Sequence, residues 1–218
     1  MENELKRLEK QAVQIRRDII DISTHIENGK IHVGPALSSA DIVTALFFKI
    51  MNIDPAHPTW EDRDRFILSK GHAYAVLYSA LAEKGFFPRE ELATARIINS
   101  RLRGHPALGK IPGVDMVSGS LGNGLSCGIG IGMALKLQKK AHAKVYVILG
   151  DGECQEGMVW EAAMAAPNKK VDNIVAIVDY NHYQSCGDVD VINSLHPFAE
   201  KWKAFGWYVI EMNGHDMG

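Results

Sequence analysis

The apolar positions of the chain follow two different periods. From about residue 4 to residue 27 they recur at helical spacing, which predicts one long amphipathic helix that ends at Asn28-Gly29. The positions that define this helix are Leu5, Leu8, Val13, Ile15, Ile19, Ile22 and Ile26. Later in the chain, apolar residues form short continuous runs bounded by polar residues, which is typical of buried strands. The pattern therefore predicts helices combined with a buried sheet.

The first half of the chain contains further helices and one short strand. After a loop, "KIHVGPAL", the segment "DIVTALFFKIM" predicts a second helix with Ser38 or Ser39 as its N-cap. The run "RFILS" predicts a short strand, and "KGHAYAVLYSALAEKG" predicts a helix that ends at Gly85. Pro88 is expected to open one more helix, because proline is favoured at the first helical position.

The second half alternates between the two kinds of element. The strands are "KVYVIL", "NIVAIVDYN" and "WYVIEM", and the intervening helices are "EGMVWEAAMAAPN" and one near "PFAEKWKAFG". This alternation predicts an α/β fold with three layers, in which a mostly parallel sheet has helices on both faces. We expect one domain over residues 1–218. Because the chain stops just after a predicted strand, we expect either a missing C-terminal end or completion by another chain.

A long glycine-rich segment lies between these halves. Residues 101–125, "RLRGHPALGKIPGVDMVSGSLGNGL", show no periodicity, and a loop of that length in a compact domain is usually functional. The segment leads into the helix "SCGIGIGMALKLQKK". The glycines of this helix indicate close packing on the sheet or on other backbone.

Charge and cysteine content narrow the class of protein. The 218 residues include 24 basic and 26 acidic side chains, so the net charge of −2 favours neither nucleic acid nor a membrane surface as a partner. The three cysteines are scattered and odd in number, which argues against a disulfide framework. The charged N-terminus lacks the apolar region of a signal peptide. We therefore expect a soluble, cytoplasmic protein.

The turn after "KVYVIL" combines two glycines with acidic residues. Gly150 and Gly152 are placed as in a phosphate-binding turn, yet Asp151 lies between them. No G-x-x-x-x-G-K-[ST] motif is present, and Gln155 occupies the third glycine position of a dinucleotide fingerprint, which leaves a nicotinamide or flavin enzyme as a weak alternative. A carboxylate repels phosphate, but a divalent cation between them reverses the sign of the interaction.

A second oxygen donor is expected at the end of the next strand. Asn181 follows "NIVAIVDY", thirty positions after Asp151, which is the length that a strand–helix–strand unit needs. Its amide oxygen and a backbone carbonyl near Tyr183 would complete a magnesium site, while the glycines would let N–H groups reach phosphate. The alternative is that Asp151 only caps the helix near Gln155.

The same residues resemble those of a known family. "GDGECQEGMVWEAAMAA" followed by "DNIVAIVDYN" is similar to the thiamine diphosphate motif of transketolases, and the form Q-E-G-x-x-W-E-A resembles that family in particular. Three other blocks agree in order and spacing: "HVGPALSSADI", "DRFILSKGHAYAVLYSAL" and "RGHPALGKIPGVDMVSGSLGNGLSCGIGIGMA". The resemblance extends from about residue 10 to the C-terminus. It implies the thiamine diphosphate-binding fold and, within it, the diphosphate-binding (PP-type) domain.

The resemblance also implies a set of cofactor-binding residues. Asp151 and Asn181, with the carbonyl of Tyr183, would hold Mg²⁺ or Ca²⁺. The N–H of Gly152 and the imidazole of His72 would contact the diphosphate of thiamine diphosphate. The full set of cofactor-binding positions is His72, Gly119, Ser120, Leu121, Gly150, Asp151, Gly152, Glu153, Glu156 and Asn181. Glu156 would also lie at a subunit interface near the cofactor.

Three histidines are the catalytic residues that the resemblance implies. His32, His72 and His105 would face the reactive carbon and the sugar hydroxyls, where an imidazole that titrates near neutrality suits proton transfer. The flanks of His32 depart from the family pattern, with Ile31 and Val33 in place of Gly and Pro. Ser120 and Asn123 likewise stand in place of Pro and Gln. These departures indicate a loop shaped for an unusual sugar.

The resemblance covers only the diphosphate-binding part of a transketolase. The pyrimidine-binding domain, which brings a glutamate for the aminopyrimidine and most arginines for the sugar phosphate, has no counterpart in the chain. We therefore expect the N-terminal subunit of a split transketolase, paired with a C-terminal, pyrimidine-domain subunit as an α2β2 heterotetramer and inactive alone, or a truncated chain. The alternatives are a deoxyxylulose-phosphate synthase, a thiamine-dependent dehydrogenase component, or a non-catalytic assembly subunit.

Overall fold

A computed structural model describes residues 2–25 and 31–218 and divides the chain into two compact units. Unit 1 comprises Met1–Arg63, Gly71–Gly119 and Asn213–Gly218, and unit 2 comprises Asp64–Lys70 and Ser120–Met212. The predicted helix end at Asn28-Gly29 and the predicted apolar position Ile26 lie outside the described residues. The assignment of residues 1–218 to one domain stays a prediction. Within the described residues, no helix combines the length and apolarity that crossing a membrane requires.

Unit 1 is helical. Its helices are α1 (Glu2–His25), α2 (Val33–Ser38), α3 (Ala40–Ala45) and α4 (Tyr74–Lys84), with a π-helical turn at Leu46–Ile50 and 3-10 turns at Gly71–Ala73 and Arg89–Thr94. Helix α1 packs on α3 and α4. Its buried apolar positions are Leu8, Ala12, Ile15, Ile19 and Ile22. The predicted core position Val13 is instead 47% exposed, because it lies beside this stripe and not on it.

The predicted loop over residues 30–37 is wrong from Val33 onward, where α2 begins. Pro35 occupies the third helical position, where a backbone N–H has no partner inside the helix, so a proline costs nothing there. The N-cap prediction is confirmed in position, because Ser39 directly precedes α3, but its side chain makes no capping hydrogen bond. Ser38 ends α2, and the hydroxyl of Ser39 donates to the carbonyl of Pro35 at 2.8 Å instead of capping α3.

The predicted helix stop at Gly85 is confirmed, and the helix predicted to begin at Pro88 is not an α-helix. Gly85 follows α4 with φ +95°, a left-handed conformation that glycine adopts without the strain a Cβ would bring. Its N–H donates to the carbonyl of Ala82 at 2.9 Å. Pro88 precedes Arg89–Thr94, which is a 3-10 turn and not an α-helix.

Unit 2 contains a parallel sheet, which confirms the α/β class. Its strands, β1 (Arg65–Leu68), β2 (Val145–Gly150) and β3 (Ile174–Asp179), pair in the order β1-β2-β3. The helices are α5 (Asn123–Leu137), α6 (Gly157–Asn168), α7 (Val189–Asn193) and α8 (Phe198–Ala204), and Gly152–Gln155 forms a 3-10 turn. Two short strands, β4 (Tyr183–Gln184) and β5 (Gly187–Asp188), form an antiparallel hairpin. Register pairs Gly150 with Asp179, so β2 and β3 end side by side.

The glycines of α5 reflect close packing on the sheet, as predicted. A Cβ added at Gly128 would lie 2.7 Å from Cγ2 of Val147 on β2. Gly130, two positions later, faces open space and is exposed. The same helix therefore has glycines that packing requires, such as Gly128, and one, Gly130, that it does not require.

Alanine substitutions should separate these two glycines. We expect Gly130→Ala to raise the free energy of unfolding by about 0.5–1 kcal/mol, because alanine loses less backbone entropy in a helix. We expect Gly128→Ala to lower it by about 1–3 kcal/mol, because the added methyl overpacks the contact with Val147. Urea unfolding of both variants measures the difference. Changes of the same sign in both would contradict the packing of α5.

The predicted strand "WYVIEM" is not formed. Within the described residues, no strand pairs with residues 207–212, and Tyr208, Ile210 and Met212 are exposed. Trp207 anchors the start of the segment, with its indole Nε1 donating to the carbonyl of Ala163 on α6 at 2.8 Å. Alternating apolar residues form a strand only when they pair with another strand, and this segment pairs with none of the described strands.

Candidate active site

Asp151 is buried at the point where β2 ends. Its Oδ1 accepts from the N–H of Gly152 at 2.8 Å, and its Oδ2 accepts from the N–H of His182 at 2.6 Å. Burial raises the pKa of Asp151, and these two hydrogen bonds oppose the rise. The alternative that Asp151 only caps a helix is therefore correct in part. Asp151 directly precedes a short 3-10 turn, and one of its oxygens accepts from the first N–H of that turn. Its second oxygen, however, reaches the segment that follows β3.

Asn181 and Tyr183, the other two predicted metal residues, lie on that segment. Oδ1 of Asn181 accepts from the N–H of Tyr183 at 2.9 Å, so Asn181 and Tyr183 flank the residue whose N–H binds Asp151. In the described parts of the chain, no group of three or more His, Cys, Asp or Glu side chains is placed to hold a metal. The candidate set is of another kind, with one carboxylate, one amide oxygen and one main-chain carbonyl.

Gly152 lies against the β4–β5 hairpin. An added Cβ would lie 2.8 Å from Cβ of Gln184, so packing leaves room only for glycine. Within the described residues, Oε1 of Gln184 is buried and makes no hydrogen bond. A side-chain amide with this unsatisfied atom therefore lies beside the Gly-Asp-Gly turn, where the sequence predicts phosphate.

The second acid of this region is Glu153, and its carboxylate does not point to the segment after β3 as that of Asp151 does. Glu153 is buried, with Oε1 accepting from the N–H of Gly122 at 2.9 Å and from the hydroxyl of Ser69. Its Oε2 accepts from the N–H of Gly150 at 3.0 Å. Burial raises the pKa of Glu153, and the bond from Ser69 opposes the rise most strongly. The structure thus turns this carboxylate to the chain itself, while its predicted contact with the cofactor stays a prediction.

An ion pair that the sequence reasoning missed lies beneath the turn. The ammonium of Lys70, after β1, pairs with the carboxylate of Asp179 at the end of β3, and both side chains are buried. Burial lowers the pKa of Lys70, and the Asp179 carboxylate is the chief opposing influence. The signal in the sequence was a polar residue directly after each apolar strand, in "RFILSK" and "IVAIVD". With Asp151 and Glu153, the buried groups include three carboxylates and one ammonium.

Two of the predicted histidines meet in unit 1. The imidazoles of His32 and His72 contact edge to face, with ring centroids 5.2 Å apart. His32 is exposed and directly precedes α2, and His72 lies in the 3-10 turn before α4. Their elements pack together, because α2 contacts that turn.

The third histidine lies against a glycine of the long loop. A Cβ added at Gly119 would come within 3.0 Å of Cδ2 of His105, which is exposed. The loop also passes over Gly71, where an added Cβ would lie 2.8 Å from the backbone N of Gly119. These close approaches fix the backbone at Gly119 between His105 and the turn that holds His72.

The remaining predicted positions lie at the surface of unit 2. Ser120, Leu121 and Glu156 are exposed. Gly122 has φ +85°, and an added Cβ would lie 3.0 Å from Cβ of Glu156 and 3.6 Å from Cβ of Met158. The start of α5 and the start of α6 are therefore adjacent, with Glu156 at their shared edge.

These residues fit a magnesium-bound diphosphate. The oxygen donors of Asp151, Asn181 and Tyr183 are of the type that Mg²⁺ prefers. An excess of buried carboxylates favours a cation at this edge of the sheet.

A parallel sheet with a buried Gly-Asp-Gly turn at its carboxyl edge defines an α/β protein with a candidate phosphate site. The chain belongs to the transketolase family: the family model described as "Transketolase, thiamine diphosphate binding domain" matches residues 8–218.

Relatives among characterised proteins include separate subunits and whole enzymes. The 6-deoxy-6-sulfo-D-fructose transketolase subunit SqwG of Clostridium sp. (strain MSTE9) is 42% identical over 207 residues, which cover 94% of this chain and 75% of the relative. An apulose-4-phosphate transketolase subunit of Phocaeicola vulgatus is 43% identical, covering 98% of this chain and 75% of the relative.

Solved structures agree with the fold. The transketolase of Campylobacter jejuni superposes with a TM-score of 0.88 and 33% identity, covering 96% of this chain. This chain spans about a third, 34%, of that enzyme.

Proposed function

We propose that this chain is the N-terminal subunit of a two-chain transketolase that uses thiamine diphosphate and Mg²⁺. The observation that carries the proposal is the contact of Asp151 with the segment of Asn181 and Tyr183, in a chain of the transketolase family. With its partner, the subunit transfers a two-carbon ketol unit from a ketose to an aldose. We place this activity in the cytoplasm.

The metal would be held by Asp151, Asn181 and the carbonyl of Tyr183. Three buried carboxylates against one ammonium make a divalent cation favourable at this edge of the sheet. When bound, thiamine diphosphate supplies the nucleophilic carbon and the electron sink for breaking the C–C bond. The backbone N–H of Gly152 would donate to a diphosphate oxygen in place of Oδ1 of Asp151, its acceptor in this structure.

The histidines would bind the sugar and move its protons. His32 and His72 contact each other, so one can donate a hydrogen bond while the other accepts a proton. His105 is held against Gly119 and would orient a second hydroxyl group. A non-catalytic assembly subunit would have no need of these histidines or of the metal residues.

The partner would carry the pyrimidine-binding domain, in an α2β2 assembly. Two of the relatives are named as transketolase subunits, and this chain covers 75% of each of them but only 34% of the Campylobacter jejuni transketolase. Exposed residues of α5 and α6 provide a surface for the partner, with one charged residue among small and apolar ones. This α5–α6 surface consists of Ser126, Cys127, Gly130, Met133, Ala134, Leu137, Met158, Glu161 and Met164.

The donor sugar would carry an anionic group at the end remote from its carbonyl. The two relatives above are named for a sulfonated ketose and for a ketose phosphate. The altered flanks of His32, with Ile31 and Val33, would shape the sugar site. A panel of phosphorylated and sulfonated ketoses would identify the donor.

Reconstitution tests the proposal. We expect calorimetry to detect binding of thiamine diphosphate with Mg²⁺ to the chain co-purified with a pyrimidine-domain subunit. Turnover of a ketose from the panel should then require both chains. Turnover by this chain alone would contradict the two-chain enzyme, and no binding of the cofactor by the pair would contradict the proposal as a whole.

A further inference from the structure

Glu153 joins three segments that end at the same edge of the sheet. Gly150 is the last residue of β2, Ser69 follows β1, and Gly122 directly precedes α5. All three donate to the one carboxylate. A carboxylate is suited to this task, because both of its oxygens accept and it offers no donor. Its negative charge at the first turn of α5 is also favourable.

The position of Asp151 depends on this junction. Glu153 lies two residues after Asp151 and bonds back to the N–H of Gly150, the residue directly before it. The three-residue Gly-Asp-Gly turn is therefore closed on itself by the Glu153 side chain. The same carboxylate holds Gly122, the residue that follows the predicted cofactor positions Ser120 and Leu121.

We propose that Glu153 is a positioning residue that fixes the Gly-Asp-Gly turn and the start of α5 in the arrangement that binds metal and diphosphate. It touches neither group and acts through the backbone of Gly150 and Gly122. This inference rests on the proposed function, since it assigns Glu153 a part in the same site.

Glu153→Gln tests the inference in the two-chain enzyme. Glutamine keeps the shape but replaces one acceptor with an NH₂ donor, which would face a backbone N–H or the Ser69 hydroxyl. We expect the Kd of thiamine diphosphate and the Mg²⁺ concentration for half-saturation each to rise about 10- to 100-fold. Ser69→Ala removes one donor and should weaken both by a smaller factor. Glu200→Gln, the same change at an exposed position of α8 and outside the α5–α6 surface, should leave both unchanged.

Hydrogen exchange of the cofactor-free protein provides an independent measurement. We expect the amide of Gly150 or of Gly122, whichever then faces the NH₂ group, to exchange at least about tenfold faster in Glu153→Gln, because its acceptor is lost. If Glu153→Gln does not fold, the Kd of thiamine diphosphate and the Mg²⁺ concentration for half-saturation, measured on Ser69→Ala, test the inference instead. A folded Glu153→Gln variant with unchanged affinity for the cofactor and the metal would overturn the inference, even if the melting temperature of that variant were lower. Failure of the wild-type pair to bind thiamine diphosphate would instead overturn the proposed function.

Discussion

Replacing Asp151 with alanine should abolish metal-dependent cofactor binding. We expect Asp151→Ala to weaken binding of thiamine diphosphate in the presence of Mg²⁺ by at least about 100-fold, because the site loses its only proposed carboxylate ligand. The loss should be larger than that of any other single change to the site. Calorimetry on the wild-type and variant two-chain enzyme, at fixed Mg²⁺, measures it.

The control for this variant is Asp172→Ala. Asp172 is exposed just before β3, at the opposite end of that strand from Asp179, and pairs with Lys136. Its removal should leave cofactor affinity unchanged. Asp151→Asn keeps an oxygen for the N–H of His182 or Gly152 but loses the charge, so it separates the metal role from the structural one. Full affinity in both Asp151 variants would show that the metal is held elsewhere.

Replacing Lys70 with methionine should strongly destabilise the fold. The carboxylate of Asp179 would stay buried while losing the ammonium that pairs with it, and breaking a buried ion pair in this way costs about 3–5 kcal/mol. The neighbouring carboxylates of Asp151 and Glu153 add to the effect, because Lys70 attracts both. Urea unfolding of the cofactor-free chain measures the change in free energy.

A double variant distinguishes the ion pair from other roles of Lys70. Lys70→Met with Asp179→Leu removes both charges, and we expect it to recover most of the lost stability. Lys136→Met removes one partner of an exposed pair and should cost less than about 1 kcal/mol. A Lys70→Met variant as stable as Lys136→Met would show that the buried pair contributes little.

The sequence predicted best where a pattern is local. The runs of β1, β2 and β3 are short, apolar and bounded by polar residues, so their strands were identified correctly. The helix stop at Gly85 has a one-residue signal. The contact of Asp151 with the segment after β3 followed from the spacing of a strand–helix–strand unit, because parallel neighbours end at the same edge.

The predictions were wrong where the local structure depends on contacts between distant parts of the chain, which a single sequence does not show. The sequence placed Pro35 in a loop. Proline is tolerated in the first turn of α2, however, because no intrahelical hydrogen bond is lost there. The alternation from Trp207 to Met212 resembled a strand, yet alternation does not show whether a segment pairs, and among the described residues this one pairs with no strand. A single sequence also does not show which way a side chain points. Asp151 and Glu153, two residues apart, therefore could not be assigned to opposite sides of the turn.

The open edge of β3 has a practical consequence for handling the protein. Among the residues that the structure describes, β3 is an edge strand of the three-stranded sheet of unit 2, and Val175 on it is 39% exposed. An unpaired edge with exposed apolar residues is a template for strand addition between molecules. We therefore expect the chain produced without a partner to self-associate with rising concentration and temperature. Co-expression of both chains, and not refolding of one, is the route to homogeneous material.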